Sequence, residues 1–363
     1  MDKRDIVITY GTDIKAMTKQ ILACTKIEDM IGSKNAAIGL KPNLVVAKPA
    51  SSGATTHPEI LEGIIEYLKD LGFSNISIIE GSWVGDRTSE AFKVSGYNDI
   101  ARRHGVKIID TQKDTYKAYD CRGMKINICD SAMNCDFMIN LPVLKGHCQT
   151  LVTCALKNNK GVIPNTEKRK FHTLGLHKPI AHLSTVAKCN YILVDSICGD
   201  LDFEEGGNPV EMNRLFAALD PVLCDSFVCS LMGYEPEDVE YIKLAEKLGV
   251  GTADTSKANI IELESPEKGA RSARSSRRIQ NLEKYACPSD ACSACYGSLI
   301  HALNRLDDER LIGRIKEKVC IGQGYKGKSG VLGVGSCTRC FEKSLPGCPP
   351  KAIDIYNFLK QQM

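Results

Sequence analysis

The chain has 363 residues, 43% of them hydrophobic and 25% charged, and its 47 basic residues stand against 44 acidic ones for a formal net charge of +3. That is the balance of a folded globular protein, with no field strong enough to imply a nucleic-acid partner. No apolar run approaches the roughly 18 to 20 residues of a membrane helix, and the N-terminal MDKRDIVITYG lacks the apolar stretch of a signal peptide, so a cytoplasmic protein without membrane contact is expected.

In chain order, the segment AAIGL reads as a short buried strand, followed by the helix HPEILEGIIEYLKDLG and the strand NISIIEG. Pro58 suits the first helical position, Leu61, Ile64, Ile65 and Leu68 form one apolar stripe, and Gly72 stops the helix. This is a βαβ unit. The pattern continues through a helix over about 89–104, the strands VKIID and DFMINLP, a helix over about 150–159 and the strand YILVD. Two further helices and the strand NIIEL complete it. Such alternation predicts an α/β fold, a mostly parallel sheet with helices on both faces.

The arginines of GARSARSSRR (Arg271, Arg274, Arg277, Arg278) read as a solvated basic linker. Beyond it the cysteine density rises, with seven of the seventeen cysteines between Cys287 and Cys348. The expected organisation is therefore an α/β domain over 1–266, a linker over 267–284 and a small cysteine-rich module over 285–363.

In open parallel sheets ligands bind beyond the carboxyl ends of the strands. Those ends carry Lys41 and Asn43, Glu80, then Lys145 and His147, and Asp195. Lys145, His147 and Glu80 are the candidates for proton transfer, and Lys41, Asn43, Lys157, Lys160 and Asp195 for holding a small anionic substrate. A helix starting near Gln149 or Thr150 would add free amides to the anion site. His172, His177 and His182 are too loosely spaced, with Pro179 between them, to favour a metal site. The chain has neither a P-loop nor a full dinucleotide fingerprint.

In CPSDACSACYGSLIHALNRL, Cys292 and Cys295 precede an amphipathic helix, and GVGSCTRCFEKSLPGCPPKAIDI supplies Cys337, Cys340 and Cys348. A helix N-terminus favours thiolate charge, and a Cys-Pro ending is common in cluster motifs. The expected ligands of one [4Fe-4S] cluster are Cys292, Cys295, Cys337 and Cys348, with Cys287 and Cys340 in reserve. Zinc is the alternative, because Cys-x2-Cys occurs twice. Cys320, read as the end of a helical LIGRIKEKVC, is a non-ligand. The PGCPP context of Cys348 resembles the terminal cluster ligand of the small subunits of hydrogenases and of respiratory complex I.

KPNLV, THPE, EGSW, LPVLKGH, ALKNNKGVIP and the terminal PGCPP together resemble the family called domain of unknown function 362, over nearly the whole chain. The resemblance implies an association with iron–sulfur proteins and no settled reaction. More loosely, the first half is similar to the nickel-pincer lactate racemase group. The functional expectation is an iron–sulfur oxidoreductase acting on a small anionic substrate, with a redox protein as possible partner. Its alternatives are a non-catalytic electron carrier or cluster-bearing partner protein, and a zinc-stabilised isomerase or transferase.

Overall fold

The computed structural model of the chain describes residues 1–264 and 278–363. Arg271, Arg274 and Arg277 of the basic segment lie outside the described residues. The chain divides into two compact units, Met1–Arg169 with His177–Ser275, and Lys170–Leu176 with Ser276–Met363.

The first unit contains strands β1 (Asp5–Tyr10), β2 (Ile38–Pro42), β3 (Ile76–Glu80), β4 (Lys107–Asp110), β5 (Tyr116–Asp120) and β6 (Lys125–Cys129). It continues with β7 (Phe137–Leu141), β8 (Lys145–His147), β9 (Leu151–Thr153), β10 (Tyr191–Asp200), β11 (Pro209–Ala218) and β12 (Asn259–Glu262). Eight of these form one sheet in the order β12-β1-β11-β10-β7-β2-β3-β4. Only β11 runs antiparallel to its neighbours, so the sheet is mixed and mostly parallel, the α/β fold expected.

Side chains alternate across a strand, and the alternation sorts this sheet into an apolar face and a polar one. Ile38 and Leu40 of β2 and Phe137, Ile139 and Leu141 of β7 join the main apolar cluster with Leu22, Ile64, Ile65 and Ile100 of the covering helices. Helix Pro58–Asp70 contributes most clearly: Leu61, Ile64, Ile65 and Leu68 are fully buried, each worth about 1.5–3 kcal/mol of transfer free energy. Lys41 and Asn140, paired in register on β2 and β7, take the intervening positions.

Several local expectations need correction. The helix expected over 89–104 is two, Thr88–Val94 and Tyr97–His104, broken where Gly96 adopts φ +76°. The strand begun by YILVD continues to Asp200, so Asp195 lies within β10 and not at its end. No helix starts near Gln149. The chain instead forms the hairpin β8–β9 and then the short helix Ala155–Asn158. Backbone that must turn within three residues leaves Leu151 at φ +62°, a conformation costly for a residue with a Cβ.

The second unit is built around four parallel strands, β13 (Ala286–Pro288), β14 (Val319–Ile321), β15 (Leu332–Val334) and β16 (Lys343–Leu345). Helix Ser293–Asp308 packs on helix Ala352–Gln361 and buries Leu299, Leu303 and Leu306. Cys320 sits in β14 and not in a helix. Among the described residues no helix is long and apolar enough to cross a membrane.

Candidate functional site

In the first unit the polar strand ends converge on one buried network. Lys41 is 1% exposed, and its Nζ donates to Glu80 Oε2 at 2.5 Å, Pro42 O at 2.9 Å and Asn158 Oδ1 at 3.3 Å. Asn158 also receives Asn43 Nδ2 at 2.9 Å and donates to Asn140 Oδ1 at 2.7 Å. Asn43 Oδ1 accepts from Lys145 Nζ at 2.9 Å, and Lys145 is completed by the carbonyls of Ala54 at 2.6 Å and Glu204 at 2.9 Å. Lys41, Asn43, Glu80 and Lys145 thus belong to one continuous set of hydrogen bonds.

Two glycines permit it. A Cβ on Gly161 would collide with Glu80 Oε1 and Lys41 Nζ, and one on Gly146 would collide with the backbone of Leu201. Only a residue without a side chain leaves room for the Glu80–Lys41 pair at Gly161 and for the Leu201 backbone at Gly146.

His147 is almost fully buried, and its Nδ1 accepts the amides of Gln149 at 3.0 Å and Thr150 at 3.1 Å. Those amides, expected at a helix start, are spent on the imidazole. With Nδ1 an acceptor, the proton of the neutral ring sits on Nε2, which faces Glu204 Oε2 at 3.1 Å. Burial, then the positive charge of Lys157, push the imidazole down to about 4, so it is a neutral donor at physiological pH. Glu204 Oε1 pairs with Lys157 Nζ, which also donates to Thr153 Oγ1 at 3.2 Å. Burial opposes the Glu204 charge, but Lys157, His147 and Lys145 outweigh it and hold the carboxyl well below its usual range.

Lys145 and Lys41 each fill three acceptors, the full capacity of an ammonium. Burial nevertheless lowers both, Lys145 to about 8. Lys168 Nζ donates to the carbonyls of Gly81 at 2.8 Å and Ser82 at 2.9 Å, and burial brings it to about 8. Half-buried Lys160 has no hydrogen bond or ion pair among the described residues. Desolvation, then Lys157, bring it down to about 7.

Asp195 stands apart. It is fully buried and accepts the backbone N of His57 at 2.7 Å and His57 Nδ1 at 2.8 Å, which fixes the start of helix Pro58–Asp70. Its other oxygen accepts the Ile197 amide at 3.1 Å, so all of these contacts are structural. His177 and His182 are likewise engaged, with the Tyr241 amide at 3.2 Å and the Cys121 carbonyl at 2.8 Å.

Sequence reasoning missed Glu204 and Lys168. DFEEGGNP reads as a loop, and nothing in it or in NTEKRKF indicates that one charge of each is drawn inward.

In the second unit, each parallel strand ends in a turn that delivers one polar group to a common edge. Cys292 follows β13 as the residue preceding helix Ser293–Asp308, Gln323 follows β14, Cys337 follows β15 and Cys348 follows β16. Cys292, Cys295, Cys337 and Cys348 line one cavity of about 250 Å³ with Gln323, Lys326 and the glycines 322, 335 and 347. Burial, then the neighbouring thiols, push Cys295 up to about 12, and the same causes raise Cys292. A cation among these sulfurs reverses that balance. Gln323 Nε2 donates to Cys292 Sγ at 3.4 Å.

The reserve cysteines are elsewhere. Cys287 faces Cys320 across β13 and β14 and accepts the Tyr325 hydroxyl at 3.1 Å, and Cys340 is exposed. A tighter donor group lies in the first unit, where ligand atoms of Cys154, Cys224 and Asp225 all fall within 4.8 Å of one another. Asp225 there already accepts the amides of Ala155 at 2.7 Å and Leu156 at 3.2 Å.

Fold and donor set define a two-unit α/β protein with a buried lysine-rich network in one unit and a metal-binding type of cysteine set in the other. The chain belongs to the family described as Domain of unknown function (DUF362), which it matches over residues 38–230, just over half its length. It is similar to a thylakoid-associated protein of Synechocystis sp., 25% identical over 221 residues, which cover 58% of this chain and 67% of that one. Among solved structures it overlaps the lactate racemase apoprotein from Thermoanaerobacterium thermosaccharolyticum with a TM-score of 0.39 and 14% identity. That overlap covers 59% of this chain and only 54% of the racemase, and no cofactor follows from it.

Proposed function

We propose that the chain is an iron–sulfur protein of oxidoreductase type whose first unit binds a small anionic substrate. The observation that carries this reading is the convergence of Cys292, Cys295, Cys337 and Cys348 on one cavity from the segments that follow three of the four parallel strands, β13, β15 and β16. These residues fit a polynuclear group better than one ion. A lone zinc at about 2.3 Å from each sulfur draws its ligands within about 4 Å of one another. Among the described residues no three of these four sulfurs fall within 4.8 Å of one another, as the ligands of one zinc ion would.

When bound, a [4Fe-4S] cluster supplies one-electron transfer, in exchange with a redox partner protein, or Lewis acidity at an iron left open. The chain's own residues do the rest. Gln323 orients the Cys292 sulfur, and Lys326 offsets thiolate charge at the rim.

In the first unit, the anionic substrate is favoured by the pairing of the lysines. Lys41 is matched by Glu80 and Lys157 by Glu204, whereas Lys145, Lys160 and Lys168 have no carboxylate within ion-pair distance among the described residues. A buried ammonium with no carboxylate in contact is costly and is relieved by an anion.

Anaerobically prepared protein should contain about four irons and four acid-labile sulfides per chain. Cys292→Ser, Cys295→Ser, Cys337→Ser and Cys348→Ser should each strip or destabilise that content, while Cys24→Ser and Cys224→Ser should leave it unchanged in folded protein. A colourless protein with full zinc occupancy, or equal loss from both sets of variants, sinks the reading.

A further inference from the structure

We propose that Lys157, Lys160 and the Nε2–H of His147 form a subsite for the carboxylate of a small organic acid, occupied by the chain's own Glu204 until that acid displaces it. This rests on the reading of the first unit as a small-anion site and names the chemistry it selects.

The argument begins with what Glu204 touches. One oxygen sits on an ammonium, that of Lys157, and the other faces a neutral imidazole N–H at 3.1 Å. Two donors of different charge, aimed at the two oxygens of one carboxylate, constitute two-point carboxylate recognition, and charge-assisted contacts of this kind are the strong ones. The donors hold their positions independently of Glu204. His147 is locked by two backbone amides on Nδ1, and Lys157 is buried on helix Ala155–Asn158 and anchored to Thr153 Oγ1.

Glu204, by contrast, is delivered by a loop that needs nothing from its carboxylate. Asp200 Oδ1 accepts the amides of Asp202 at 3.0 Å and Phe203 at 2.9 Å, and Asp200 Oδ2 accepts that of Asn208 at 3.0 Å. Lys145 and Lys48 hold the carbonyls of Glu204 and Glu205 at 2.9 and 2.8 Å. The loop backbone therefore stays in place when the Glu204 side chain rotates out. Displacement costs a rotamer change and not a loop opening.

Lys160 supplies the reason why an external acid can win. It lies three residues after Lys157 where helix Ala155–Asn158 runs on into the 3-10 turn Asn159–Val162, which puts the two side chains on one face, and its ammonium has no acceptor among the described residues. Glu204 leaves Lys160 unsatisfied. A free carboxylate is not tethered at Cβ as Glu204 is, so it can engage Lys157 and Lys160 together, and a diacid brings a second negative charge for the unpaired Lys160.

The test is calorimetric titration of the anaerobic full-length protein with malonate, and separately with inorganic phosphate, at pH 6.5. Malonate should bind Glu204→Gln at least about tenfold more tightly than wild type, and Glu204→Asp, which keeps the charge but shortens the reach, should show a smaller gain. Lys157→Met and Lys160→Met in the Glu204→Gln background should each lose about tenfold or more. Melting curves and iron content identify unfolded samples, and Glu204→Asp keeps the test decisive if Glu204→Gln does not fold. Malonate binding that is no tighter in either Glu204 variant, or that survives Lys157→Met, overturns the proposal while leaving the anion reading standing. A larger gain for phosphate than for malonate overturns the carboxylate assignment. No binding of either anion by any variant removes the small-anion site itself, without bearing on the cysteine cavity.

Discussion

An ammonium without acceptors, such as Lys160, leaves a signature in the pH dependence of stability. Its folded value of about 7 lies below the ordinary 10.5 because burial, then the charge of Lys157, disfavour the protonated form, with Lys168 adding to that and Glu204 opposing it. Below pH 7 the group is protonated in both folded and unfolded chains and its full destabilising effect is present. Between pH 7 and 10.5 the unfolded chain binds the proton and the folded chain does not, so this group's contribution to stability rises with pH. Lys160→Met should therefore stabilise the protein most at pH 6, with the gain shrinking towards pH 10 in denaturant titrations. A gain that is flat, or that grows with pH, contradicts the assignment of Lys160 as a desolvated, unpartnered cation. The same logic explains what the sequence showed and hid at this scale. Lys41, Asn43, Glu80 and Lys145 are legible because strand ends in a parallel sheet share an edge, and a strand end is visible as apolar residues giving way to polar ones. Glu204 and Lys168 are not legible, because their inward turn is decided by long-range contacts with Lys157 and with the Gly81 and Ser82 carbonyls.

At the scale of elements, apolar periodicity located most of the sheet, and its failures have a common cause. Alternation of strands with helices places a helix over 150–159, yet β8–β9 forms, since Lys145 and His147 are held inward by tertiary contacts that the alternation does not encode and Leu151–Thr153 suit a strand. The strand from Tyr191 extends through a bulge between Ser196 and Cys198 to Asp200, so the polar residues read as a loop partly belong to a buried strand. Packing of the 159–162 turn on β3 makes a testable demand at Gly161. A methyl group there would strike Glu80 Oε1 and Lys41 Nζ, both buried and both committed to hydrogen bonds. Gly161→Ala should lower unfolding free energy by about 1–3 kcal/mol, the usual range for overpacking. Gly175→Ala is a useful contrast: nothing surrounds its Cβ position within 4 Å, so only its φ of +82° penalises the change. If thermal melts show no loss for Gly161→Ala, the close approach of the 161 backbone to the Glu80–Lys41 pair is not required by the folded chain.

For the whole molecule, the two units differ in what holds them. The first buries a large apolar cluster spanning several strands of the eight-stranded sheet and the covering helices, which is enough to fold a domain of its size. The second has four strands of three residues each and turns that bring sulfur together at one edge. Strands this short contribute few ladder hydrogen bonds, and thiols gathered in a small unit are a conformation that a bound metal group rewards and an empty one does not. Anything that binds only the folded form stabilises by mass action, so removing it should be felt where its ligands are. Stripping metal with a chelator under oxidising conditions should therefore abolish hydrogen-exchange protection of amides in β13–β16, including those of Val319 and Ile321, while amides of β2, β7 and β10 keep theirs. Re-addition of ferrous iron and sulfide under reducing conditions should restore it, which separates loss of the metal group from oxidative damage to Cys292, Cys295, Cys337 and Cys348. Protection in β13–β16 that is unchanged by stripping would mean that the cysteine set is held by the fold alone. Equal loss in both units would mean that the treatment unfolds the chain and that the cavity is not the point at which metal supports it.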